Sequence, residues 1–327
     1  MNELRKDLVS GDWIIIAPGR AKRPSEFLPE KKERNSSAKE DCPFEDFEKS
    51  GNVPVILSVP DEKNWRAAII PNKYPALAHS DSCAVVAKEG LFEHAEGLGQ
   101  HDLLVFREHG KGLDAMSLED VVIAFEALQK RYEMLSQDPC LEYTSAFFNW
   151  GASAGASLHH PHIQILTLPI MPPSISHSLL HSRAYWQNDE RCVHCDILAY
   201  EQKEKKRIVY ENEHAVAVAP YASRNPFGVT VYPKTHLPSF EASEKADLQA
   251  VIEVLQACLG KMRTNINDPD LNFFIHTSPL KNKGIYQHYH WHVEILPKIS
   301  TPAGFELSTG VLINVVPPET AAEILRK

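Results

Sequence analysis

No apolar run in this chain approaches the ~18 residues that a membrane-spanning helix needs. The first residues, Met1-Asn2-Glu3-Leu4-Arg5-Lys6-Asp7, lack the apolar core of a secretory signal. Positive charge is short as well. The 34 Lys and Arg against 43 Asp and Glu leave a net charge of −9, the wrong sign for a surface that grips nucleic acid. These absences point to a cytoplasmic protein with neither membrane nor nucleic acid as partner. Cysteine is scarce too, at six residues in 327. In a reducing compartment the thiols are expected to stay reduced, so paired cysteines read as metal ligands before disulfides. Cys83, Cys140 and Cys258 have no partner in a motif, and Cys258 falls on an apolar helix face as a core residue.

Histidine, by contrast, is plentiful: there are sixteen, and they cluster. Residues 149–164 are the densest stretch. A loop of small residues, Gly151 to Ser157, runs into His159, His160, His162 and Gln164. Such loops let backbone N–H groups close around phosphate oxygens, because no Cβ blocks the approach. The run that follows alternates like a strand, which places His160, His162 and Gln164 on one face. A phosphate cradle beside a row of imidazoles suggests phosphoryl or nucleotidyl transfer through histidine. The plainer reading is a His-rich strand in a metal-stabilised core.

The chain carries this pattern twice. In the first pass come Cys42-x-x-Glu45, a strand at 102–106 followed by His109, a helix over 117–136 with Ser117 as N-cap, a strand at 144–150, and His160-x-His162. In the second come Cys192-x-x-Cys195, a strand at 228–233 followed by His236, a helix over 243–263, a strand at 271–276, and His290-x-His292. Before the first copy, residues 8–17 read as a hairpin, and Arg20 and Arg23 sit in a Pro-flanked turn that holds a phosphate or is merely solvated. We read two copies of one α+β unit meeting in a linker near 171–190.

Zinc takes four ligands, and Cys and His are its usual choices. The second copy offers Cys192, Cys195, His236 and His290, a complete set. The first offers Cys42, Glu45, His109 and His160, in which the glutamate oxygen ligates zinc but suits iron better than a thiolate would. Alternatively Glu45 is a surface residue and that site has lost its metal. Neither set leaves a position open for water, so the metals are expected to be structural.

At this point the residues carry a resemblance. Asn149-x-Gly151-x-Ser153, Gly155-x-Ser157 and His160-Pro161-His162-Ile163-Gln164 resemble the active-site motif of the galactose-1-phosphate uridylyltransferase family, two fused domains of the histidine triad superfamily. Nearly the whole chain fits, including Cys42-Pro43-Phe44 and Pro71-Asn72-Lys73-Tyr74-Pro75. The resemblance implies an α+β fold of two tandem histidine-triad-like domains, residues 1–180 and 181–327, each a mainly antiparallel sheet with packed helices. It implies His162 as the nucleophile that takes UMP from UDP-glucose and passes it to galactose-1-phosphate. Gln164 would then donate to a phosphate oxygen. Gly151, Ser153, Gly155 and Ser157 would cradle the phosphate, Asn72 and Asn149 would contact nucleoside or phosphate, and Arg20 and Arg23 would neutralise charge. It makes His160 a metal ligand and the protein a homodimer.

Two features depart from the better-known transferases of the family. Glu45 replaces a cysteine, and the C-terminus (Gly304 to Asn314) lacks their hexose-phosphate pattern. With His276-Thr277-Ser278-Pro279-Leu280 and the Cys192/Cys195 pair, these features resemble the plant ADP-glucose phosphorylase branch, which implies AMP transfer to inorganic phosphate instead. A further alternative is a non-catalytic, metal-stabilised nucleotide-binding protein. In the second copy His292 and Glu294 stand where His162 and Gln164 stand in the first. The loop before them has no small-residue cradle, and the negative Glu294 would repel a phosphate, so this copy reads as structural.

Overall fold

The computed structural model describes residues 1–20, 38–80 and 82–327. Arg23 lies outside the described residues. Strands β1 (Glu3–Lys6) and β2 (Trp13–Ile16) form the N-terminal hairpin. The short α1 (Phe47–Ser50) precedes β3 (Leu57–Val59) and β4 (Ala67–Pro71). A small exposed hairpin, β5 (Ala87–Glu89) and β6 (Phe92–His94), then leads to β7 (Gln100–Phe106). The first half closes with α2 (Leu118–Ser136), β8 (Tyr143–Trp150) and β9 (His162–Leu168). The second opens with α3 (Pro173–Asp189) and α4 (Val193–Glu204). It continues through β10 (Ile208–Glu211), β11 (Ala215–Val218), β12 (Val229–Pro233) and α5 (Lys245–Asn265). Strands β13 (Leu271–His276) and β14 (His292–Pro297) follow, then α6 (Gly304–Thr309), β15 (Ile313–Asn314) and α7 (Pro318–Arg326).

Ten of the strands form one sheet in the order β10-β11-β12-β14-β13-β8-β9-β7-β4-β3. Outward from the centre, β8-β9-β7-β4-β3 on one side matches β13-β14-β12-β11-β10 on the other, so the internal repeat is a two-fold arrangement within one sheet. The halves meet at the antiparallel pair of β8 and β13, with Leu271 opposite Trp150 and Asn272 opposite Asn149. Phe148 and Phe273 stack across this seam with ring centroids 5.0 Å apart. The expected boundary after residue 180 falls inside α3, and the sheet runs unbroken from one copy to the other.

Alternation along the strands divides the sheet into two faces. Ile163 and Ile165 of β9 and Val293 and Ile295 of β14 turn to the side covered by α2 and α5, where one continuous apolar core spans both copies. His162 and Gln164, and likewise His292 and Glu294, turn to the opposite face. The Ser117 hydroxyl accepts from the Asp120 N–H and caps α2 as expected. Strand β7 begins at Gln100, two residues before its expected start, and three further details differ from the sequence reading. The N-terminal hairpin is set earlier, because the Asp7 carboxylate accepts from Val9 N–H and the Ser10 hydroxyl and so fixes the turn between β1 and β2. Helix α5 begins two residues later than expected. The third concerns the thiols: Cys83 and Cys140 are joined in a disulfide, contrary to the expectation that both stay reduced. They are 57 residues apart in sequence, and the fold brings their Cα atoms to 4.9 Å.

Beneath the sheet edge, Asp102 on β7 is buried and its Oδ2 accepts from Arg131 Nε at 2.9 Å. Burial pushes the Asp102 carboxyl above its usual range, against the pull of Arg131. Removing one partner of such a pair leaves an uncompensated buried charge. Arg131→Met is therefore expected to lower the unfolding free energy by about 3–5 kcal/mol in a urea titration. The double variant with Asp102→Leu should recover most of that loss. A cost for the single change no larger than that of an exposed substitution would contradict this reading.

Candidate active site and metal centres

His160 stands immediately before β9, and its imidazole is buried. Its Nε2 lies 2.6 Å from the backbone carbonyl of Phe106. A carbonyl only accepts, so Nε2 carries the proton and Nδ1 keeps its lone pair. That lone pair faces His109 Nδ1 at 3.2 Å, Cys42 Sγ at 3.4 Å and Glu45 Oε1 at 3.5 Å. His109 Nδ1 is also 3.1 Å from Glu45 Oε1. The other Glu45 oxygen is 3.6 Å from Lys39 Nζ. Glu45 is therefore turned into the cluster, in place of the surface position that was its alternative. Bond lengths of about 2.0–2.3 Å around a tetrahedral ion place neighbouring ligand atoms about 3.3–3.8 Å apart. Two ring nitrogens, a thiol sulfur and a carboxylate oxygen converging at such distances fit a cation at their centre. Burial holds His160 down to about 4 and keeps the ring neutral, the form a metal ligand requires.

The second cluster repeats the design. Cys192 caps α4 and Cys195 lies in its first turn. Cys195 Sγ is 3.3 Å from His236 Nδ1 and 3.5 Å from His290 Nδ1. Each imidazole donates its far N–H to a backbone carbonyl: His236 to Gln287 at 2.9 Å and His290 to Pro233 at 3.0 Å. These carbonyls fix the tautomer and aim Nδ1 inward, as outer-shell partners of metal-bound histidines do. The Cys195 thiol beside it is the largest influence holding the Cys192 thiol far below its usual range. All eight residues predicted as ligands thus form two four-membered groups, each with its donor atoms within 4.8 Å of one another.

The first cluster adjoins His162 through the backbone of His160. His162 is buried, and its Nδ1 lies 2.9 Å from the backbone carbonyl of His160. By the same logic Nδ1 carries the proton, so Nε2 presents a free lone pair. Burial lowers the His162 pKa, against the bond to His160, and favours the neutral ring. Phe44, two residues beyond Cys42, stands edge-on to His162 with centroids 5.2 Å apart. Nothing in the sequence pattern singles out Phe44 for this contact.

Gln164 follows on the same face, and a residue absent from the sequence reading orients it. The backbone N–H of Ala76 donates to His101 Nδ1 at 3.0 Å, which leaves the ring proton on Nε2. That nitrogen donates to Gln164 Oε1 at 3.1 Å; the Asn72 NH₂, 3.0 Å away, is a second donor from which the protonated nitrogen accepts nothing. With its oxygen engaged by His101, Gln164 keeps its NH₂ donors for another acceptor. Asn72 is fixed in turn by the Tyr74 N–H, which donates to its Oδ1.

The predicted cradle directly follows β8. Gly151 and Gly155 adopt φ of +88° and +85°, conformations that favour glycine. Between them lies one 3₁₀ turn, Ala152–Ala154. Asn149, the penultimate residue of β8, stands just before this loop. Ser157 is exposed on its far side, whereas Ser153 directs both its N–H and its hydroxyl to Asp270 Oδ2. Arg20 ends the 3₁₀ turn Pro18–Arg20 with its side chain exposed. In the second copy His292 donates to the His290 carbonyl in the same way, at 3.0 Å. There, Glu294 is 3.2 Å from His276. Burial alone would raise the Glu294 carboxyl, but its bond to His276 outweighs that and keeps it ionised.

Structural metals contribute to folding free energy. Cys192→Ser and Cys42→Ser are each expected to lower bound metal by about one equivalent per chain and to reduce the melting temperature. Elemental analysis of purified protein measures the first effect. Unchanged metal content in either variant would remove that cysteine from its cluster.

Residues 56–327 match a family described as a domain of unknown function (DUF4921). The chain is 34% identical to ADP-glucose phosphorylase of Arabidopsis thaliana, over 99% of this chain and 92% of that one. It is 29% identical to galactose-1-phosphate uridylyltransferase of Thermotoga maritima, over 100% of this chain and 98% of that one. A crystal structure of an Arabidopsis ADP-glucose phosphorylase with bound ADP-glucose superposes with a TM-score of 0.84, at 32% identity, over 100% of this chain and 99% of that one. The chain belongs to the galactose-1-phosphate uridylyltransferase family of the histidine triad superfamily, which holds ADP-glucose phosphorylase beside the uridylyltransferases.

Proposed function

We propose that this enzyme transfers a nucleotide from a nucleoside diphosphate glucose through a covalent adduct on His162. The observation that carries the proposal is the free Nε2 lone pair of a buried imidazole whose Nδ1 proton is held by the His160 carbonyl. In the first step Nε2 attacks the α-phosphorus. The P–N bond forms, the bond from that phosphorus to the bridging oxygen breaks, and glucose-1-phosphate leaves with the electron pair. The leaving group is already a phosphate and needs no proton. The ring becomes cationic, and the carbonyl of His160 faces its Nδ1–H and stabilises that charge. The Gln164 NH₂ donates to a non-bridging oxygen as charge moves onto the phosphoryl group. In the second step an acceptor oxygen attacks, the P–N bond breaks, and neutral His162 returns. Splitting one displacement into two gives ping-pong kinetics.

For the donor, the similarity to ADP-glucose phosphorylase over nearly the whole chain favours ADP-glucose, with inorganic phosphate as acceptor and ADP as product. The second reading is UMP transfer from UDP-glucose to galactose-1-phosphate, which the Thermotoga relative supports. Asn72, Asn149 and Gly155 are assigned to contact the phosphate and nucleoside in either case, and the exposed Ser157 is left to the cradle that the family pattern implies. Arg20 is assigned to supply positive charge, as the family pattern implies. We assign zinc to the Cys192 cluster, and zinc or iron to the cluster containing Glu45; both hold strands and neither takes part in the displacement. No helix among the described residues is long and apolar enough to cross a membrane. Free thiols at Cys42, Cys192 and Cys195 suit the cytoplasm, where the Cys83–Cys140 bond would be an exception. We also propose a homodimer, because the hairpin of β5 and β6 exposes Leu91 and Phe92 in a form that a second copy can cover.

Brief incubation with ADP-glucose alone, without phosphate, is expected to add the mass of one AMP to the intact protein. His162→Ala should abolish that adduct while metal content and melting temperature stay at their wild-type values. An adduct formed only from UDP-glucose would move the donor to the second reading. Turnover retained by His162→Ala would end the nucleophile assignment.

A further inference from the structure

The cradle is built from the first copy, but it is held by the second. Asp270 directly precedes β13, and its backbone carbonyl accepts from Lys298 N–H at 2.7 Å. Its side chain reaches across the central seam to residues 151–153. Oδ2 accepts from Ser153 N–H at 2.9 Å and from the Ser153 hydroxyl at 2.6 Å. Oδ1 lies so close to Gly151 that a Cβ there would come within 2.0 Å of it. Two residues on, Asn272 divides one NH₂ group between two acceptors, Asn149 Oδ1 and the Ala154 carbonyl, both at 2.8 Å. With its oxygen occupied, Asn149 must present its own NH₂ elsewhere. That nitrogen lies 3.8 Å from where a Cβ on Gly155 would stand, so it faces the loop.

From these contacts we infer that Asp270 and Asn272 are positioning residues for the phosphate cradle, a role that rests on the nucleotidyl-transfer reading. Asp270 fixes the first turn of the loop with two bonds to a charged acceptor, which are stronger than neutral ones. It also takes the Ser153 hydroxyl proton away from substrate, so Ser153 acts through the loop and not on the phosphate. Asn272 sets the sign of the Asn149 amide, keeping a donor on the side where an anion binds. The internal two-fold shows that this support is not a general feature of the fold. Phe148 opposes Ile163 in the first copy as Ile275 opposes Val293 in the second. That register puts Tyr143 and Ser145 at the positions of Asp270 and Asn272, and these carry neither the carboxylate nor the amide. The copy that lends the support has no small-residue cradle, and the copy that receives it has one.

Two near-isosteric variants test the inference. Asn272→Asp replaces donors with acceptors and should turn the Asn149 amide around. Asp270→Asn removes the charge that Ser153 bonds. In stopped-time labelling with ADP-glucose, and separately with UDP-glucose, Asn272→Asp is expected to slow saturating adduct formation at least tenfold and Asp270→Asn at least threefold. The donor concentration at half-saturation should change by less than threefold, since the cradle acts on charge that develops in the displacement. Adding Ser153→Ala to Asp270→Asn should cost little more than Asp270→Asn alone. Labelling within twofold of wild type in both single variants would overturn the inference, as would losses that merely track lost metal or lowered melting temperature. If wild-type protein labels with neither sugar nucleotide, the transfer reading itself fails. Amide hydrogen exchange of residues 151–157 then decides the remainder: exchange at least fivefold faster in both variants supports the clasp, and unchanged exchange removes it.

Discussion

The hydrogen bond from His162 Nδ1 to the carbonyl of His160 is the constraint on which the rest of this site depends. It places the proton on one nitrogen and so leaves the other nucleophilic. It survives only if the His160 backbone stays in place, and that backbone is held by its own side chain. His160 donates to the Phe106 carbonyl on one side and faces Cys42, Glu45 and His109 on the other. A cation in that cluster therefore acts on chemistry two residues away without touching substrate. The intervening Pro161 fixes the backbone between the two histidines.

The second copy keeps the same device, with His290 in its own cluster and His292 bonded to the His290 carbonyl. What differs is the surroundings. Glu294 replaces a neutral amide with a carboxylate that stays charged beside His276, the wrong sign for a nucleotide phosphate. The two copies are nevertheless inseparable, because β8 and β13 join them at the centre of one sheet and a single core underlies both. On the proposed reading, one half holds the chemistry and the other half supports it.

Much of this is legible in the amino-acid sequence alone. Period-two alternation after Pro161 puts His162 and Gln164 on one face. The repeated order of Cys-x-x-ligand, His and His-x-His selects eight ligands because each element type recurs in the same sequence. The residues that stay hidden are held by contacts between distant segments. His101 shares a face with Leu103 and Val105, but the apolar pattern marks a strand only from residue 102, two residues inside its true start, so His101 falls outside it. Phe44 reads only as part of a metal loop. Asp270 and Asn272 gain their meaning because β13 lies beside β8, a pairing that no local signal specifies. Cys83 and Cys140 likewise carry no motif, and their bond follows from where the segment before the exposed hairpin meets the turn after α2.

In the proposed reaction His162 holds the nucleotide between two separate displacements. Isotope exchange tests this most directly. Wild-type enzyme is incubated with ADP-glucose and radiolabelled glucose-1-phosphate, with neither inorganic phosphate nor any other hexose phosphate present, and the label in ADP-glucose is counted. A covalent intermediate that releases glucose-1-phosphate before any acceptor binds predicts exchange at a rate comparable to turnover, and UDP-glucose in a parallel reaction reads the base preference. Brisk turnover with acceptor present but no exchange without it would contradict the account, because nucleotide would then pass directly from donor to acceptor.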